Sequence, residues 1–232
     1  DPDDEDVRFL QDDLHFHALD VAEVRKSTIQ PEVEPHPTYV FLVIHVPVQQ
    51  PDERGVVPAE IDMFVSHDIL VTVHPGSMTM IEGFFRDVSV NEDLKQRAVG
   101  RGPAYLLYSV MDHLFDSVFP LLDRFAIRIR EAENKIFSRH ERNMVTELSV
   151  LQRDLASFRS IIRPQRHLYE TGGLHGDWNS PAFQVVFRSL HGKLTRLWDR
   201  LETLWERAEA LARTNDTLVN YKLNEFVKLV TI

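Results

Sequence analysis

Histidine and carboxylate are the side chains here with the chemistry to hold a metal or move a proton. The chain has 11 His and 36 Asp plus Glu among 232 residues. Spacing decides whether they can act together. His15 and His17 lie two apart and would splay on a helix, where neighbours on one face are three or four apart. His113 has no His or carboxylate four residues on, and no His-Glu-x-x-His pattern occurs. The histidines therefore read as scattered structural or surface groups. Acids crowd the start of the chain: Asp1, Asp3, Asp4, Glu5, Asp6, Asp12 and Asp13 face only Arg8. Without an Asp-x-Asp-x-Asn-Gly loop to organise their oxygens for Mg²⁺ or Ca²⁺, a solvated end with favourable charges at a helix start is preferred. There is no Gly-x-Ser-x-Gly elbow, phosphate-cradling Gly loop or dinucleotide fingerprint. No enzyme is expected.

Composition narrows the remaining classes. A net charge of −10 argues against nucleic-acid binding, which needs a basic face, and suits cations or cationic partners. With no Cys there is neither a disulfide framework nor a thiolate zinc site. The chain starts at Asp1 with no signal-peptide pattern. Its longest apolar run, Tyr39 to Val48, is interrupted by His45 and Pro47 and is far short of the ~20 residues that cross a bilayer. The expectation is a domain taken from something larger.

The elements that must position these residues fall into two parts, 1–102 and 103–232. In the first, Asp3–Leu14 and His17–Lys26 read as short helices. Pro31, Pro35 and Pro37 mark an extended connector. Tyr39–Val46, rich in β-branched and aromatic residues, reads as a strand buried on both faces. Pro51–Gly55 reads as a turn. Glu60–Val65 and Ile69–Val73 form a hairpin, and a helix starts at Pro75-Gly76-Ser77 towards Phe85. In the second part, Leu107, Met111, Leu114, Val118, Leu121, Phe125, Ile129, Ala132 and Ile136 predict one helix bent near Pro120. Met144 to Ile162 predicts another, ending near Pro164, and Thr171–Gly176 a link.

The last helix carries the clearest pattern. Behind the cap candidate Ser180 and Pro181 at N1, Leu190, Leu194, Leu197, Leu201, Leu204, Ala208, Leu211, Asn215 and Leu218 keep one stripe in steps of three and four. Lys222 and Glu225 then take the next two slots, and the apolar face moves to Leu223, Phe226, Val227 and Val230. The surroundings of the helix must change there. Lys222 and Lys228 beside an apolar stretch look like the cytoplasmic flank of a membrane helix. Without a span in the chain, a coiled-coil scaffold with no transport role stays open.

Several blocks, in order along nearly the whole chain, resemble CorA-type divalent-cation transporters. They are His17-Ala18-Leu19 through Glu23-Val24, Gln30–Glu34, Tyr39–Val43, Ala104–Asp112, Ile161–Pro164 and Lys222–Ile232. The resemblance implies an α/β unit, an α/β/α sandwich, on a long antiparallel helical stalk. It implies the cytosolic regulatory part of a homopentameric Mg²⁺ or Co²⁺ channel at the cytoplasmic face of the inner membrane. It further implies regulatory Mg²⁺ between neighbouring subunits, with carboxylates carried over to Glu23 and Asp112. Two other acids of that site fall at Ala22 and Ser189. Asn224, Val227 and Val230 match pore-entrance positions. The zinc-transporting (ZntB-like) branch is the alternative, since it shares the architecture without those carboxylates.

Overall fold

The computed structural model describes residues 2–26, 28, 30–49, 55–76, 78–138, 144–170, 178 and 180–230. The Pro51–Arg54 turn, the Ser77 helix start, the Thr171–Gly176 link and Thr231-Ile232 lie outside them, and so does the side chain of Val230.

Four strands form one antiparallel meander in chain order: β1 (Glu32–Pro35), β2 (Tyr39–Val48), β3 (Val57–Ser66) and β4 (Leu70–Val73). β2 is the centre because almost every side chain in it is apolar, so it can be buried on both faces. Val40, Leu42, Ile44 and Val46 pack on one side, and Tyr39, Phe41 and Val43 on the other. The segment expected as a connector is strand β1, with Val33 opposite Leu42. As an edge strand it tolerates Pro35. β2 also runs on through Pro47, which lies opposite Pro58 of β3.

Helices cover both faces of this sheet. On the smaller side lie α1 (Asp4–Arg8), a π-helical turn (Phe9–Asp13) and α2 (Ala18–Glu23). Leu10, Phe16, Val21 and Val24 from this layer close over Tyr39, Phe41 and Phe64. On the other side lie α3 (Thr79–Val90), α4 (Glu92–Ala98), α5 (Pro103–Asp116), α6 (Phe119–Phe137), α7 (Met144–Glu170) and α8 (Pro181–Val230). Their apolar stripes share one cluster with β2 and β3. The result is the α/β/α sandwich with long helices.

Two helix boundaries differ from the sequence reading. The helix expected to bend near Pro120 is instead two helices, broken at Ser117-Val118. Pro120 has no N–H and its ring clashes with the carbonyl four residues back, so the hydrogen-bond ladder stops. Conversely, α7 runs through Pro164 to Glu170. There Gln165 lies fully buried against β2, its side-chain oxygen accepting the His45 N–H at 3.3 Å and its amide donating to the His45 carbonyl at 2.5 Å. Docking on the sheet holds the helix beyond its proline.

α8 begins as expected, with Ser180 Oγ accepting the Phe183 N–H at 3.4 Å and Pro181 at N1. Its 50 residues extend about 75 Å at ~1.5 Å per residue. The stripe from Leu190 to Leu211 is buried against α5, α6 and α7. Arg159 of α7 also reaches across, paired with both oxygens of Glu202 at 2.6 and 3.2 Å and lying 4.7 Å over the Trp205 ring.

Candidate metal sites and the distal helix

Glu23 closes α2 and is half-buried. Its charge helps to raise the pKa of two other acids, Glu32 and Asp62, although burial is the larger cause for each. Asp62 projects from β3 into a shallow pocket with Val24, Arg25, Glu60 and His74. Its pKa is pushed up to about 7 by burial, then by Glu60 and Glu23. Glu60 in turn accepts the Thr28 N–H at 2.7 Å and lies 3.5 Å from the His45 ring. Glu23 thus belongs to an acidic edge of the sheet.

Asp112 sits elsewhere, on α5 facing α8. Its carboxylate is paired with the largely buried Lys193 ammonium, which also lies 2.8 Å from Asp116 and donates to the Asp112 carbonyl at 3.0 Å. One turn before Lys193, Ser189 Oγ contacts the Tyr108 hydroxyl at 3.4 Å. An ammonium held between two carboxylates supplies the positive charge that a metal would otherwise bring. Within one chain, Glu23 and Asp112 do not make a metal site together. Any divalent ion reaching Asp112 must compete with Lys193.

Among the described residues, one group of three ligand-bearing side chains converges, and the sequence reading passed over it. Atoms of Asp20, Glu34 and His36 lie within 4.8 Å of one another. A signal was present. Glu34 and His36 are two apart in extended chain, which places them on one face, a spacing that helical periodicity does not reveal.

At the far end of α8, Asn224 and Val227 lie on the surface. Val219, Tyr221, Leu223, Phe226 and Val227 are all at least half exposed. The described stretch is not greasy enough to be a span: no helix among the described residues is long and apolar enough to cross a membrane. The seam thus gives way to an exposed, partly apolar helix end with charges interspersed.

A four-stranded sandwich packed against a long terminal helix is a fold shared with solved CorA and ZntB structures. The chain belongs to the family described as CorA-like Mg²⁺ transporter protein, which matches residues 1–232. Members of this family are ion transporters, so the chain is not an enzyme. A metal ion transporter candidate of Bacillus subtilis, YfjQ, is 25% identical over 236 residues, covering 100% of this chain and 70% of that one. The complete structure of the CorA magnesium transporter from Methanocaldococcus jannaschii superposes with a TM-score of 0.82. It is 20% identical, over 100% of this chain and 72% of that one. The ZntB cytoplasmic domain from Vibrio parahaemolyticus gives a TM-score of 0.73 at 15% identity, over 93% and 84% of the two chains.

Proposed function

We propose that this chain is the cytosolic regulatory part of a CorA-like transporter that passes Mg²⁺ or Co²⁺ through a homopentameric pore in the inner membrane. The observation that carries the reading is the family match over all 232 residues. The geometry agrees with it. In this reading residues 1–102 are the α/β head and 103–232 the stalk region leading to the membrane, and the end of α8 leaves an apolar face exposed. In this reading Asn224, Val227 and Val230 line the approach to the pore, where an apolar constriction gates hydrated ions by dewetting.

Regulation would come from carboxylates of neighbouring copies. A divalent ion between Glu23 of one head and Asp112 of the next would cancel repulsion between acidic faces, and its loss would let the stalks move. Lys193 already neutralises part of the Asp112 site. Ala22 and Ser189 supply no further carboxylate. Binding is therefore weak and water-rich.

The same departures, together with the likeness to the ZntB cytoplasmic domain, favour a second reading in which Zn²⁺ is the cargo. Flux through the full gene product in liposomes separates the two. Mg²⁺ or Co²⁺ uptake is expected; Zn²⁺-only uptake favours the second reading. No divalent flux defeats both and leaves the scaffold.

A further inference from the structure

We propose that Asp20, Glu34 and His36 form a binding site for a first-row transition-metal dication, distinct from Glu23 and Asp112. His36 Nε2 lies 2.8 Å from Asp20 Oδ2 and 3.9 Å from Glu34 Oε1. Donor atoms that each sit ~2.0–2.2 Å from one ion are about 3–4 Å apart, so these separations suit neighbours around a shared cation. Nε2 is shielded from solvent yet makes no hydrogen bond. At 2.8 Å the Asp20 oxygen is close enough, but it stands off the line along which a ring N–H would point. A hydrogen bond needs that line; two ligands of the same ion do not.

The surroundings hold the donors in place. The Tyr39 hydroxyl donates to Asp20 Oδ2 at 2.5 Å and accepts the His17 N–H at 2.8 Å. Burial, and then the Asp20 hydrogen bond, raise the Tyr39 pKa, so the hydroxyl keeps its proton and remains the donor. The His36 ring stacks on Tyr39 at 4.5 Å, with planes 16° apart. Its backbone is fixed by the N–H donated to the Tyr39 carbonyl at 2.8 Å and by Trp178 Nε1 donating to its carbonyl at 2.6 Å. Second partners that orient a ligand in this way are what metal sites use to fix geometry.

The donor set selects the ion. Imidazole nitrogen suits Zn²⁺, Co²⁺ and Ni²⁺, while Mg²⁺ prefers an octahedron of oxygens with several waters kept. Two carboxylates balance the double positive charge. Glu34 is half exposed, so water can complete the coordination from its side. The site needs only one chain and stands whether or not the chain belongs to a pore.

Cobalt absorption titrations on this chain at pH 7.5, with Mg²⁺ as competitor, test it. One Co²⁺ per chain is expected, retained against a hundredfold excess of Mg²⁺. His36→Phe keeps a ring against Tyr39 and should lower Co²⁺ affinity at least tenfold, the scale on which ligand losses act. Glu34→Gln, at an exposed side chain, should lower it about threefold, and His74→Ala should leave it unchanged. Equal Co²⁺ binding by wild type and His36→Phe would show an ordinary His36–Asp20 ion pair and overturn the site. So would displacement by equimolar Mg²⁺. Should His36→Phe lose its folded circular dichroism spectrum, Glu34→Gln decides, and unchanged affinity there overturns the proposal.

Discussion

The sheet end of the molecule seals charge inside, while the distal end of α8 leaves apolar side chains in solvent. Asp20, Asp62 and His45 are all buried at the first; Leu223, Phe226 and Val227 are more than half exposed at the second. Each departs from the ordinary sorting of polar groups outward and large apolar groups inward. Between them, the α8 stripe from Leu190 to Leu211 obeys that sorting. The middle is therefore built for stability. The two ends carry features that stability alone does not ask for, buried acids at one and exposed apolar side chains at the other.

Substitutions along this axis can break the contrast, beginning with the middle. Leu197 is 0% exposed, and Leu197→Ala should cost about 3–5 kcal/mol in urea unfolding. A loss below 1 kcal/mol would mean that the seam is not the core.

Asp62 is next. Its pKa is raised from 3.8 to about 7, so the folded state holds a proton that the unfolded state has released. Stability from this group is full below about pH 4 and is lost as pH rises through about 7. Asp62→Asn should therefore stabilise the chain by about 4 kcal/mol at pH 8, with little change at pH 3.5. Thermal melts at the two pH values check the sign; equal effects would remove the buried-charge account of the sheet edge.

Smaller still is Lys193→Ala, which leaves Asp112 and Asp116 without their ammonium. A loss of about 1–2 kcal/mol is expected for this partly buried pairing. Mg²⁺ should recover more of the melting temperature than it adds to wild type. Identical Mg²⁺ responses would mean that Lys193 does not stand in for a cation. Smallest is Phe226→Ser. At 64% exposure it should change the stability of the isolated chain by less than about 0.5 kcal/mol; a loss comparable to Leu197→Ala would erase the contrast between middle and end.

How legible each region was follows from the same physics. The α8 seam was readable because period and burial coincide from Leu190 to Leu211, and β2 because its side chains are apolar on both faces. The structure moved boundaries where a proline met tertiary context. Pro120 broke a helix in which apolar spacing was continuous, and Pro164 failed to break one that Gln165 ties to β2. Strand β1 was hidden because its four residues carry two acids and a proline, and only pairing with β2 makes them a strand. The ion-binding candidates were the least legible. Lys193 meets Asp112 across 81 residues, and Asp20 meets His36 between a helix and a strand end. Local spacing does not report such meetings.

If α8 lines the approach to a pore as proposed, its exposed end must lie beside copies of itself in the assembled transporter. The chain has no cysteine, so once any cysteine outside these residues is replaced by Ser, Val227→Cys supplies the sole thiol. Oxidative cross-linking of the full gene product in membranes measures the contact directly. The account expects Val227→Cys to link subunits while Ile127→Cys, on an exposed face of α6, does not. Active, membrane-inserted protein that forms no link through position 227 or through Asn224→Cys would contradict it.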